Sequence, residues 1–450
     1  MPDILALLLC LHPWITATTA RQLSHITLGM LTMTGRVTML GIARWTGDGG
    51  SYRTIQRFFA TALPWAQLFW CFFRQHLFQT DEVYLLAGDE VVVTKAGKTT
   101  HGLGRFFSSI YQRTVPGLAF FSLALISTTD RRAIPMRIEQ VVRTEAEQAA
   151  TKAKRTAKQT KDPAPKRKPG RPKGSKNTPK AASPLSPELQ RIQTLVQELL
   201  QLSAGLFPLT HLLLDGHFGN SASVQLAQQC GLHLISKLRT DAALYLPYDG
   251  PYQGRGPRRK YGAKLDYQHL PEECLQQLSV EGVIDTRIYQ AEVLHKEFGQ
   301  PLNVVIIEKV NRSTQKRAHV ILFSSDLTLS YATLIDYYGL RFQIEFTFRD
   351  AKQYWGLDDF MSVTATGVTN AANLALFMVN LSAVLLAQLR QQDPQCSVLD
   401  LKAFYRGSKY VTALIKLLPE SPDEDLMAHL FHQMAQLGRI HPSEPQLSAA

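Results

Sequence analysis

The sequence predicts an α/β protein: a central mixed sheet covered on both faces by helices, with a small antiparallel β insertion, a helical N-terminal region and a helical C-terminal tail. Three observations predict it. From about Val83 the apolar pattern changes from a helical to a strand period; later β-branched runs alternate with amphipathic helical stretches; and a turn-rich block between Arg239 and Ser330 interrupts that alternation with paired strand-like runs. The chain has 450 residues and 45% hydrophobic content, enough for several domains of ordinary globular composition.

Taken in order, the first 75 or so residues read as helices with short breaks. "GDGGSYRTIQRFFATALPW" supplies a Gly-rich turn, Ser51 as an N-cap, and an amphipathic helix bearing Arg53 and Arg57. Two readings fit this pattern: a helix-turn-helix DNA reader led by the Arg53 and Arg57 helix, and a plain helical bundle. "VYLLAGDEVVV", "GLAFFSLALIS" and "IPMRIEQVV" then read as three strands. A helix ("PELQRIQTLVQELLQL"), a short strand ending in Asp215 ("THLLLDGHFGN"), a helix ("SASVQLAQQCG") and a strand ("LHLISKL") follow. The alternating runs "VIDTRIYQAEVL", "LNVVIIEKV" and "AHVILFSS" read as a small antiparallel sheet placed before the helix that carries Glu345. The expected division is 1–78 helical, 79–240 first part of the core, 241–330 β insertion, 331–392 second part of the core, and 393–450 helical tail. That tail either pairs subunits or packs on its own core.

Charge is localised. The formal net charge is +12, but residues 151–180 hold twelve Lys or Arg and one Asp, leaving the rest of the chain near neutrality. This Lys-, Pro- and Gly-rich stretch has almost no aliphatic residues, so a disordered basic insert is expected over about 148–187. Within it "KRKPGRPKGSKN" resembles an AT-hook, with Arg171 suited to a narrow minor groove and Lys168 and Lys173 to phosphates; a solvated linker is the alternative. Five scattered cysteines without a C-x-x-C pair argue against a disulfide framework and a zinc site. The start lacks a basic leader, and the apolar stretch Asn370 to Ala387 is interrupted by Asn370, Asn373, Asn380 and Ser382, so a buried helix and a cytoplasmic chain are expected, with no membrane partner.

Acids in apolar runs carry the chemistry. Asp89 lies within the first strand and Asp215 ends the run "HLLLD", at the carboxyl end of a buried strand where open α/β sheets place ligands. In "YYGLRFQIEFTFRDAKQYW" one helix would put Tyr338, Arg341, Glu345 and Lys352 within an arc of about 60°. An ordinary i, i+4 pair of Arg341 with Glu345 is the structural alternative. Three carboxylates meeting in a cleft would repel one another unless a divalent cation joined them, and oxygen-only donors select Mg²⁺ or Mn²⁺. Other signals carry less. "KAGKTTHG" has Val92 where a phosphate-binding loop needs Gly; Glu90 and Asp350 face away from Asp89 and Glu345; Lys95 and Lys98 are either DNA contacts or a solvated turn; His217 is read as structural.

The run Tyr338, Arg341, Glu345, Lys352 matches the Y-(2)-R-(3)-E-(6)-K signature, and the chain resembles DDE transposases of bacterial insertion sequences, the group with a β insertion domain. "LLAGDEVVVTKAGKTTHG" looks like their first-Asp block and "LLLDGHFGN" like their second. The resemblance implies an RNase H-like mixed-sheet catalytic core, with Asp89, Asp215 and Glu345 as ligands of two Mg²⁺ ions, Mn²⁺ substituting. It implies Tyr338, Arg341 and Lys352 as holders of transposon-end phosphates. It further implies a homodimer that cuts transposon ends and joins them to target DNA, close to the bacterial nucleoid. None of the five tryptophans falls in the insertion, which sets the chain apart from members that stack a flipped base there and leaves Tyr245, Tyr252 and Tyr289 as its candidate stacking rings. A catalytically silent DNA-binding descendant and a nuclease on the same core are the alternatives.

Overall fold

The computed structural model describes residues 4–47, 49–108, 111–144, 147, 149, 184–252, 254, 257–420 and 422–441. Lys168, Arg171 and Lys173, with most of the basic insert, lie outside the described residues. The chain opens with helices α1 (Ile4–Leu8), α2 (Ala17–Thr32), α3 (Met39–Thr46), α4 (Tyr52–Ala60) and α5 (Trp65–His76). Strands β1 (Tyr84–Thr94), β2 (Gly104–Ser108), β3 (Arg113–Ser127) and β4 (Arg132–Gln140) follow. Next come α6 (Pro187–Ser203), β5 (His211–Leu213), α7 (Ser221–Gln229) and β6 (His233–Leu238). The turn-rich block supplies β7 (Leu244–Pro247), β8 (Tyr261–Lys264), β9 (Leu275–Glu281), β10 (Ile284–His295), β11 (Leu302–Asn311) and β12 (Arg317–Ser324). The last helices are α8 (Tyr331–Leu340), α9 (Gln343–Trp355), α10 (Ala365–Arg390), α11 (Val398–Ile415) and α12 (Glu424–Gln436).

By contacts the chain forms two compact units, Met1–Val83 with Glu90–Gln140 and Gln343–Ala450, and Tyr84–Asp89 with Val141–Phe342. The sequence boundaries separate N-terminal helices, second core segment and tail, whereas contacts gather all three into the first unit. Strand β1 contributes its first half to one unit and its second half to the other.

The first unit is built around α10. Its Phe377 ring meets Phe72 and Phe69 of α5 edge-on, with centroids 4.9 and 5.6 Å apart. Three buried asparagines on this apolar helix find backbone or indole partners. Asn370 Nδ2 donates to Phe59 O and Thr61 O while its Oδ1 accepts from Trp65 Nε1 at 2.8 Å; Asn373 donates to Ile138 O and Asn380 to Pro135 O. A buried amide costs little where both ends are satisfied, as in Asn370; Asn373 Oδ1 is buried without a hydrogen-bond partner among the described residues. The helix is long and apolar enough to cross a membrane, yet 67% of its most apolar window is buried within the protein, as the reading of a core helix expects. Strand β4 tolerates Pro135 because the β3–β4 ladder shifts register between Leu123 and Ala124, where a missing N–H is absorbed. The tail helix α11 packs here too: Lys402 donates to Met30 O of α2 at 2.7 Å.

In the second unit β1, β5 and β6 run parallel, and the order continues through β12, β11, β10, β7 and β8, with β9 on β10. The sequence alternation led to a separate small sheet for residues 241–330. Instead β12 pairs antiparallel with β6, from Ile321↔Leu238 to Ser324↔Ile235, so β10–β12 prolong the parallel sheet. An uncovered edge of β6 would leave a row of backbone groups unpaired, and β12 satisfies them. Helix α6 begins as its sequence demands, with Ser186 accepting from Leu189 N and Pro187 in the first turn.

Candidate active site

Asp89 and Asp215 are set level by strand register. The parallel pairing Leu86↔Leu212 and Ala87↔Leu213, carried two residues onward, puts Asp89 opposite Asp215, where neighbouring strands are about 4.8 Å apart. Asp215 follows the end of β5 in extended conformation, its carboxylate accepting from His217 N at 3.1 Å and its carbonyl from Ser236 Oγ at 2.7 Å. Ser236 escaped the sequence reading, although a hydroxyl inside the aliphatic run "LHLISKL" was its signal. The glycine of "HFGN" is dictated by space: a Cβ on Gly219 would stand 2.1 Å from Lys237 O.

Tyr338 and Arg341 come to the same place by a different route from the one expected. The run Tyr337 to Trp355 is two helices, not one: Arg341 caps α8, Phe342 N–H turns back to Gly339 O at 3.2 Å in an i−3 bond, and α9 starts at Gln343. The common-face argument therefore fails across the break. The tightened turn follows Gly339, a poor helix former, and leaves the Arg341 side chain buried. Its Nη1 donates to Asp89 Oδ2 at 3.0 Å, the two side chains being 8% and 17% exposed. Tyr338 packs against the cluster of Val305, Leu322 and Leu334, which fixes α8 on the sheet, and its ring centroid lies 5.7 Å from the guanidinium. Burial pushes the Tyr338 phenol above its ordinary value; Arg341 opposes this, and the charges of Asp215 and Asp89 add to it. Asp89, Asp215, Tyr338 and Arg341 thus form one electrostatic group.

Each of the remaining expected residues has its own local setting. Glu345 lies in the first turn of α9, in the first unit, where the helix dipole favours a carboxylate. Lys352, expected to await phosphate, donates to Val92 O at 2.8 Å and sits 3.6 Å from Asp358. Lys95 is no solvated turn: its ammonium donates to Phe360 O and Asp358 O and lies over the Phe360 ring. His217 lies 3.7 Å from Glu188, at the surface. Arg53 and Arg57 are exposed on α4, opposite Ile55, Phe58 and Phe59, and Ser51 is the N-cap, accepting from Thr54 N. In the β insertion Tyr289 is buried and cannot stack on a base, Tyr245 packs against Tyr261, and Tyr252 is exposed.

Among the described residues no group of three or more Asp, Glu, His or Cys is gathered to hold a metal ion. The Asp89 and Asp215 pair fits two ligands of a hard cation by donor chemistry, being carboxylate on both strands. Arg341 supplies the positive charge that faces Asp89 in this state.

A family model for the DDE superfamily endonucleases matches residues 10–292. No curated protein matches the chain. The match takes in Asp89 and Asp215 and ends before Tyr338, Arg341, Glu345 and Lys352. Its extent covers more than half of the chain, and such a family implies DNA as the substrate and divalent metal as the cofactor. With one acid inside β1, the other just past the end of its parallel neighbour β5, and a match of that length, the chain belongs to the DDE superfamily endonucleases.

Proposed function

We propose that the protein is a DNA transposase of the insertion-sequence group with the Y-(2)-R-(3)-E-(6)-K signature, cutting transposon ends and joining them to target DNA. The observation that carries this reading is the parallel pairing of β1 with β5, the strands that lead to Asp89 and Asp215, with Arg341 bound to the first acid. Asp89, Asp215 and Glu345 would hold two Mg²⁺ ions, which when bound supply Lewis-acid charge at the scissile phosphate and activate the attacking hydroxyl. The protein's own groups do the rest. Arg341 offers a planar fork of N–H donors matched to a phosphate, which Lys cannot copy. Tyr338, its phenol held protonated by burial beside two acids, donates a hydrogen bond to a phosphate oxygen rather than accepting a proton. Arg53 and Arg57 on α4 read or grip the DNA outside the cleavage site, and Lys168, Arg171 and Lys173 of the insert add backbone contacts. The protein works in the bacterial cytoplasm as a homodimer bridging two ends.

Labelled duplexes ending in the inverted repeats that flank the encoding DNA, incubated with the protein and Mg²⁺, test the reading. Cleavage followed by joined product is the expected result; cleavage without joining makes the protein a nuclease, and binding alone makes it a silent descendant. Asp89→Asn keeps an oxygen acceptor for Arg341, so it should still bind DNA while losing cleavage by at least about a hundredfold. Robust nicking by that variant removes Asp89 from the catalytic set.

A further inference from the structure

The Arg341 guanidinium and a cation compete for one carboxylate. Arg341 reaches Asp89 Oδ2 at 3.0 Å from a side chain only 8% exposed, the Tyr338 ring lies 5.7 Å from the guanidinium, and Asp215 follows the end of β5, the parallel neighbour of β1. A cation taking Asp89 as ligand must displace or share a charge-assisted hydrogen bond held out of water, where electrostatic competition is strong. A phosphate arriving beside Arg341 offers that guanidinium another anion of matching geometry. We propose that the Arg341–Asp89 ion pair is a latch that keeps Asp89 from binding a divalent cation until a DNA phosphate draws the arginine away, so that DNA and metal load together.

The inference rests on Asp89 being a cation ligand, as argued above, and assigns Arg341 a second role as the residue that makes that ligand conditional. Linkage requires the coupling to be mutual: whatever factor DNA adds to cation affinity, the cation adds to DNA affinity. The latch also has a protective sense, because an endonuclease loaded with metal before it holds its substrate is exposed to the wrong phosphodiester.

The test is Mn²⁺ binding followed by calorimetry, with paramagnetic resonance of free Mn²⁺ as a second readout, on the full-length protein without DNA. Arg341→Ala and the bulkier Arg341→Gln should each bind Mn²⁺ about tenfold more tightly than the wild type, with Arg341→Lys between those two variants and the wild type. A duplex carrying the terminal repeat should raise wild-type Mn²⁺ affinity and leave that of Arg341→Ala unchanged. Arg341→Gln keeps more of the buried volume than Ala and retains an N–H donor, so it remains informative if Arg341→Ala does not fold. Equal or weaker Mn²⁺ binding by Arg341→Gln overturns the latch while Asp89 stays a ligand. Absence of Mn²⁺ binding from every one of these proteins overturns the latch and the metal reading of Asp89 together, and cleavage by Asp89→Asn strikes at that reading independently.

Discussion

Lys402 donates its ammonium to Met30 O at 2.7 Å and Tyr354 O at 3.4 Å, beneath the Trp355 ring, and burial, with a smaller push from Arg406, brings its pKa down to about 8. An unfolded lysine titrates near 10.4, so between about 8 and 10.4 the unfolded chain binds more protons than the folded one and stability rises with pH. Below about 8 the cost of the buried charge is fully present. Stability of wild type relative to Lys402→Met, from urea midpoints at pH 7 and pH 9.5, should therefore move toward the wild type at the higher pH; a pH-independent difference would show that this ammonium carries no burial penalty. At this scale the sequence was half legible. Asp89 and Asp215 stood out because acids are rare inside aliphatic runs, and the runs that flank them do form β1 and β5. Lys95, Lys352 and Lys402 were opaque because each is held by backbone carbonyls, and a carbonyl acceptor leaves no mark on the residue alphabet.

Helix α4 shows how an element's surface can be separated from its packing. Ile55, Phe58 and Phe59 bury one stripe while Arg53 and Arg57, one turn apart, point outward. Replacing both arginines by alanine removes charge without touching the buried stripe, so thermal stability should stay within about 0.5 kcal/mol. If α4 touches DNA phosphates, binding of duplex DNA should weaken and the slope of log affinity against log salt should fall by about 2. An unchanged slope would return α4 to the plain-bundle reading. Elements themselves were legible where periodicity is local: β1, β3, β4, α6, α7 and β6 all lie over their predicted runs. Two features were not. The break between α8 and α9 shortens the hydrogen bond of Phe342 N–H from i−4 to i−3, a one-residue shift that 3.6-residue periodicity cannot register. The β6–β12 pairing joins segments about eighty residues apart, and alternation tells which face a strand buries but not which strand lies beside it.

At the scale of the whole molecule, the sequence disclosed the family more readily than its own partition. The two Asp blocks lie inside the matched stretch, whereas Arg341 and Glu345 lie beyond its end. Compactness then groups segments by contact rather than by order: the opening helices, the sheet hairpins β2–β4 and the closing helices share one core around α10. That core depends on the solvent α10 chooses. Its leucines, alanines and phenylalanine would be as content among lipid tails as among protein side chains, and three amides at 370, 373 and 380 tip the balance, since each donates to a carbonyl of another segment that hydrocarbon would not supply. Converting all three to leucine should send newly made protein into the membrane pellet on fractionation, while the parent stays out of it. A few nitrogen atoms thus act as an address, keeping a helix that could lodge in a bilayer at the centre of a protein built to meet DNA.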